Sequence, residues 1–175
     1  MSDTSKLHHF KDIQVATVDR PDRLRAPLAR RLFGWWQAAG AGGLPRRRDF
    51  DIVEHPQLAA HVFLVRVDTP ERFTFRLLGD ETIRICGRNN TGVTVAPEDP
   101  DPYRSALADY YRALVAERRC KSCTGSLDFA DKSYAHFESI DCPMTDEDGS
   151  IRWIIGTMEL VDAPAQRPPP GLASA

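Results

Sequence analysis

The stretch FRLLGDETIRICGRNNTG, residues 75–92, passes from a strand into a short helical run, with Gly79, Gly87 and Gly92 at its corners. Glycines at such a junction can cradle a phosphate, hold a cofactor, or let a small fold turn. Phosphate does not suit this one. Neither G-x-x-x-x-G-K-[ST] nor G-x-G-x-x-G occurs. The helix opens on Asp80 and Glu81, charges that suit a helix N-terminus and repel an anion there. Asp80 is the expected N-cap.

Outward from this stretch the chain alternates cleanly. Residues 61–68 (HVFLVRVD) and 72–78 (RFTFRLL) read as strands rich in Val and Phe, with DTPE as the turn between them. A period of two places Phe73, Phe75 and Leu77 on one core-directed face. Further on, Asp101 as N-cap and Pro102 at the first helical position open a helix to about Arg119. Its apolar face carries Tyr103, Leu107, Tyr110, Tyr111, Leu114 and Val115. CTGSLDFA, SYAHFESIDCPM and SIRWIIGTMELVD then read as three strands, the last two joined by a TDEDG turn.

Before the first hairpin, Asp22 to about Ala39 has helical spacing, and Leu24, Leu28, Leu32, Trp35 and Trp36 draw one apolar stripe. That stripe either packs on the protein's own sheet or forms an interface, for which Leu28, Leu32, Trp35 and Trp36 are the candidates. The order predicts an α+β domain with an antiparallel sheet. The expected organisation is a flexible segment over 1–21, an amphipathic helix over 22–43, a domain over 44–162 and a Pro/Ala-rich disordered tail over 163–175.

Composition narrows the function. A 42% hydrophobic and 27% charged chain of net charge −2 has no field to draw it to nucleic acid or to a membrane. Arg46, Arg47 and Arg48 make too small a footprint for nucleic acid. No apolar run approaches the roughly 18 residues of a membrane helix. The start, MSDTSKLHHFKDIQ, lacks an export signal, so a soluble, cytoplasmic protein is expected. Cys120 and Cys123 form CKSC, the spacing of a metal or redox pair, but no second pair accompanies them. Structural cysteines and no metal are the expectation, and a CxxC metal or redox protein is the distant alternative.

The element order resembles the PAS fold: two strands, short helices, a longer helix and three closing strands. The resemblance extends to a group of small bacterial proteins made of a single PAS domain. It is carried by WW at 35–36, LPRRRDFD at 44–51, FRLLG at 75–79 and GRNNTG at 87–92. LDFAD at 127–131 and FESIDCPMTDEDG at 137–149 continue it, and the whole match spans about 30–161. The resemblance implies a five-stranded antiparallel sheet with helices on one side, preceded by the N-terminal amphipathic helix. Between sheet and helices it implies a small cavity that holds haem, flavin or a metabolite, or is filled by the protein itself.

The residues argue against the first two. Light-sensing members carry G-R-N-C-R-F-L-Q, whose cysteine adds to flavin; here Asn90 stands at that position, in GRNNTGVT. The helical region from Asp80 to Arg119 contains no histidine to serve as an axial haem ligand. No grouping with sequence support for nucleophilic catalysis occurs, so no catalytic residue is assigned. His136 and Glu138 share one strand face and can act together or simply pair.

What remains is a stand-alone, non-catalytic sensory domain that binds a small molecule, a signalling protein, or both, and forms a homodimer. Pocket candidates by alternation are Phe63, Phe75, Leu77, Ile154 and Met158, closed by Tyr110 or Tyr111; for each, core packing is equally open. The alternative is a ligand-free adaptor or dimerisation module with a self-filled cavity.

Overall fold

Elements begin and end where the sequence period changes. In the computed structural model, which describes residues 12–163, β1 (Gln14–Thr17) precedes α1 (Pro27–Gly40). The hairpin β2 (Val62–Thr69) and β3 (Arg72–Leu78) leads into α2 (Asp80–Cys86) and the two-residue β4 (Thr94–Val95). The long helix α3 (Pro102–Glu117) is followed by β5 (Lys121–Leu127), β6 (Lys132–Thr145) and β7 (Ile151–Val161). The strands form one sheet in the order β1-β5-β6-β7-β2-β3-β4, with every neighbouring pair antiparallel.

The sheet is buried on both faces, because its central strands carry apolar side chains in both directions. Ile154 faces one core and Ile155 the other; Phe63 and Val65 face one, and Leu64 the other. On the first side lie α2 and α3, with Phe73, Phe75, Ile85, Tyr111, Leu114 and Phe137. The second side is covered by α1 and the turn before it, through Leu24, Ala29, Leu32 and Phe33 against Ile140, Cys142, Met144 and Ile155. Helices therefore flank both faces rather than one. The five expected strands are joined by short edge strands β1 and β4, giving seven.

Three boundaries differ from expectation, each for a physical reason. Part of the segment expected to be flexible, 1–21, is ordered: β1 pairs with β5 from Gln14↔Thr124 to Thr17↔Lys121. Residues 1–11 of that segment, and 164–175 of the expected tail, lie outside the described residues. Helix α1 starts at Pro27 instead of Asp22, because proline fixes its own φ and holds Ala26 extended (φ −70°, ψ 126°). Gly79, not Asp80, is the N-cap of α2. A Cβ on Gly79 would collide with the Ala60 carbonyl group, whose oxygen takes the Glu81 amide at 2.8 Å. Gly87 closes the same helix in the left-handed region at φ 74°. The expected cap of α3 forms: the Asp101 carboxylate accepts from the Tyr103 amide at 2.9 Å.

The N-terminus of α1 has no cap of its own, since Ala26 offers no side-chain acceptor. Two glutamates of the sheet supply it. Glu138 Oε2 accepts from the amides of Arg25 (2.8 Å) and Ala26 (2.5 Å). Glu159 Oε2 accepts from Leu28 (2.9 Å) and Ala29 (3.2 Å). Glu138 and Glu159 are direct cross-strand partners, a repulsive arrangement that the helix N-terminus relieves.

Candidate ligand cavity

The strands and helices on the α3 side do not fill the space between them. They leave a cavity of about 280 Å3. Its floor is sheet: Phe63, Phe75 and Leu78 from the first hairpin, Cys123 from β5, Phe137, Ser139 and Asp141 from β6, and Met158 from β7. Helix α3 forms the roof with Tyr103, Leu107, Tyr110 and Tyr111; α2 adds Thr82 and Cys86, and Asn90 follows. Ile13 and Val15 line the side where β1 runs.

Two features of the backbone shape this space. A Cβ on Gly156 of β7 would collide with the Phe63 ring and lie 2.5 Å from the Ile140 carbonyl oxygen, so glycine lets that ring lie across the sheet. In β3 the pairing runs Phe63↔Leu78, Leu64↔Leu77, Val65↔Phe75, which leaves Arg76 as an extra residue in a bulge.

That bulge corrects one pocket assignment. Strict alternation would have put Leu77 beside Phe75; the extra residue reverses the order, so Leu78 lines the cavity and Leu77 is 42% exposed on the opposite face. Ile154 is also corrected: it is fully buried in the same core but does not reach the cavity. Phe63, Phe75, Tyr110, Tyr111 and Met158 are brought together as cavity walls. Of the interface candidates, Leu32 is fully buried and Leu28, Trp35 and Trp36 pack half-buried on the chain's own sheet. Trp36 Nε1 donates to the Pro143 carbonyl at 2.7 Å, and Trp35 meets Phe50 edge-on at 4.9 Å. The pairing of His136 with Glu138 does not form the site, because Glu138 caps α1.

Asp141 is a cavity residue that no sequence motif singles out. It is 2% exposed, and it faces the cavity. The Tyr110 hydroxyl donates to its Oδ2 at 2.8 Å. Burial pushes its carboxyl up to about 7, against the lowering effect of the Tyr110 and Tyr111 hydroxyls. A signal was present: in FESIDCPM the period of two puts Asp141 on the face of Phe137, where an apolar residue is the norm.

The cysteines divide by face. Cys123 lines the cavity, whereas Cys120 is buried on the α1 side next to Cys142. Positions three apart in an extended strand face opposite ways, so CKSC does not converge on one ion. Burial pushes the Cys123 thiol up to about 12 and that of Cys86 up to about 11, which keeps both protonated and poorly nucleophilic. Cys86 Sγ lies 3.6 Å from Met158 Sδ. Among the described residues no group of three or more His, Cys, Asp or Glu is assembled to hold a metal. Among them, too, no helix is long and apolar enough to cross a membrane.

Solved structures of similar fold include an RNA-binding light-oxygen-voltage receptor (14% identity, TM-score 0.47), covering 84% of this chain and 38% of that one. The PAS domain of Bordetella pertussis BvgS is another (14% identity, TM-score 0.44), covering 63% of this chain and 85% of that one. A Cys71Val variant of the fungal photoreceptor VVD is a third (12% identity, TM-score 0.44), covering 78% and 97%. No curated protein sequence matches the chain. The family profile described as "PAS domain" matches residues 24–159, from the start of the helix that covers one face to the end of the strand that carries Met158. On that match, the chain belongs to the PAS domain family.

Proposed function

We propose that this PAS domain is a sensor, non-catalytic in itself, whose signal is the occupancy of the cavity by a small molecule. The observation that carries the reading is the unfilled space of about 280 Å3 bounded by aromatic side chains and one buried carboxylate. A core with no ligand to hold is normally packed to near crystal density. The self-filled adaptor has less support for the same reason. The protonated thiols of Cys86 and Cys123 favour binding over covalent catalysis.

Output passes to a separate signalling protein or to a second copy of the chain. The stripe on α1 is largely occupied by the chain's own sheet, so a homodimer through it uses only the half-exposed rims of Trp35 and Trp36. Nucleic acid is a poor partner for the arginine turn, where Arg46 and Arg48 lie 3.9 Å and 3.0 Å from Glu147. Arg47 stacks over Trp153 at 5.8 Å. The unpaired state of all four cysteines suits the reducing cytoplasm.

Native mass spectrometry of the purified protein, with its absorption spectrum and a thermal-shift screen of small aromatic compounds, tests the sensor reading. A co-purifying mass, or compounds that raise the melting temperature in a saturable way, is expected. An empty protein that no compound stabilises would favour the adaptor. Light scattering at increasing concentration, with Trp35→Ala as control, reads the second copy; a wild type that stays monomeric removes it.

A further inference from the structure

On the reading of the cavity as a ligand site, we propose that its occupant is a small, largely apolar amine, held through its ammonium group by Asp141. Four observations point to this class. First, Asp141 is the one acidic group on the cavity wall, and among the described residues that line it none is Lys, Arg or His. A buried carboxylate normally has a cation to face.

Second, the basic side chain across the strand pair is already engaged. Lys121 lies directly across the strand pair from Asp141, but its Nζ turns to Glu117 Oε2 at 2.8 Å. The other groups that meet or share the face of Asp141 are Tyr110 and Tyr111 of α3, Cys123 of β5 and Ser139 of β6, all uncharged near neutral pH.

Third, a carboxylate offers about four acceptor positions, and two tyrosine hydroxyls supply at most two donors, whereas an ammonium brings three more. Fourth, the walls next to Asp141 are aromatic. Tyr110 and Tyr111 lie 5.4 Å apart by ring centroid, and Tyr111 lies 6.3 Å from Phe75. Ring faces attract a cation and shelter the apolar body behind it. At about 280 Å3 the space is below the usual range for drug-sized ligands, which limits the occupant to about one ring with a short chain. An anion of the same shape meets a carboxylate, and the cations Arg88 and Lys132, which act on the Cys86 end of the cavity, do not line it.

Burial holds Asp141 near half-protonated at neutral pH, so an arriving ammonium displaces that proton. Amine binding is therefore coupled to proton release and weakens as pH falls below about 7.

The test is calorimetry on the full chain with three probes that differ in their head group: 2-phenylethylamine, 2-phenylethanol and phenylacetate. At pH 8 the amine should bind at least ~10-fold more tightly than the alcohol, the order expected for an added ion pair, with phenylacetate weakest. Its affinity should fall roughly 5- to 10-fold at pH 6, with proton release visible in buffers of different ionisation enthalpy. In Asp141→Asn the amine's advantage over the alcohol should shrink to about 2-fold, with alcohol affinity retained. Equal binding of amine and alcohol by wild type would overturn the amine assignment while leaving a ligand site in place. Tightest binding of phenylacetate would overturn it likewise. Binding of none of the three, in a protein that also purifies empty, would overturn both. Because the probe comparison is made on wild type, the outcome does not depend on the variant's folding.

Discussion

The two faces of the central sheet deal with buried acids in opposite ways. On the α1 face, Glu138 and Glu159 lie side by side, and each accepts two backbone amides at the start of a helix. The core of that face is apolar, with Leu24, Leu32, Ile140, Met144 and Ile155 all fully buried. On the α3 face, Asp141 sits three residues along the same strand from Glu138, beside two hydroxyls and an unfilled space. Backbone amides at a helix end satisfy a carboxylate and fix the element that supplies them. Tyrosine hydroxyls hold it without satisfying it. One strand thus carries an acid that builds the fold and another that faces a cavity.

Breaking each side separately tests the contrast, and the α1 face should give the largest effect. Leu32→Ala is expected to lower unfolding free energy by roughly 2–5 kcal/mol in urea titration, because a fully buried side chain between helix and sheet is lost. Leu107→Ala, on the cavity roof, is expected to lose about 1–2 kcal/mol, since its neighbourhood already contains free volume. Equal losses would mean that the α3 face is as tightly packed as the other. Gly156→Ala comes next, at roughly 1–3 kcal/mol, because its methyl group meets the Phe63 ring and a carbonyl oxygen. The same substitution should reshape the cavity and alter whatever it binds.

Asp141→Asn has the opposite sign. The folded protein keeps this proton up to about pH 7, and the unfolded chain only to about its ordinary value of 3.8. Between those values the folded state binds more protons, so stability falls as pH rises. For an empty protein, the loss from this group between pH 5 and pH 8 is about 2–3 kcal/mol. The asparagine variant should lack that slope and be more stable than wild type at pH 8 by about 1–3 kcal/mol. A variant less stable than wild type at pH 8 would show that the carboxylate is better satisfied than its surroundings indicate. The smallest effect is expected for Leu77→Ser, within about 0.5 kcal/mol, because the bulge turns that residue outward.

Much of this architecture was legible in the sequence, where period and punctuation agreed. The run from Asp101 and Pro102 into α3 combined a cap, a first-turn proline and a single aromatic face, and the helix forms as read. Elsewhere the deciding forces were not local. The apolar stripe of α1 announced burial but not its partner, and only the two-sided strands β6 and β7 determine that it stays within the chain. Residues 14–17 carry no period strong enough to read, and their strand exists because the edge of β5 is open to pair with it. Asp141 was passed over because a lone acid in a strand is usually solvated; three-dimensional burial gives it its character. Leu77 was misplaced because a bulge adds a residue without a composition signal.

The bulge at Arg76 has a further consequence, for insertions and deletions. Between Leu64 and Val65 of β2, β3 carries one residue more than its partner, so the in-and-out order on either side of Arg76 is already that of a regular ladder. Deleting Arg76 should straighten the strand and leave Phe75 and Leu78 on the cavity. Deleting Thr74 instead shifts Phe73 out of step and exposes a ring that is now fully buried. The chain therefore contains one position in this wall that can be lost without changing which side chains line the cavity.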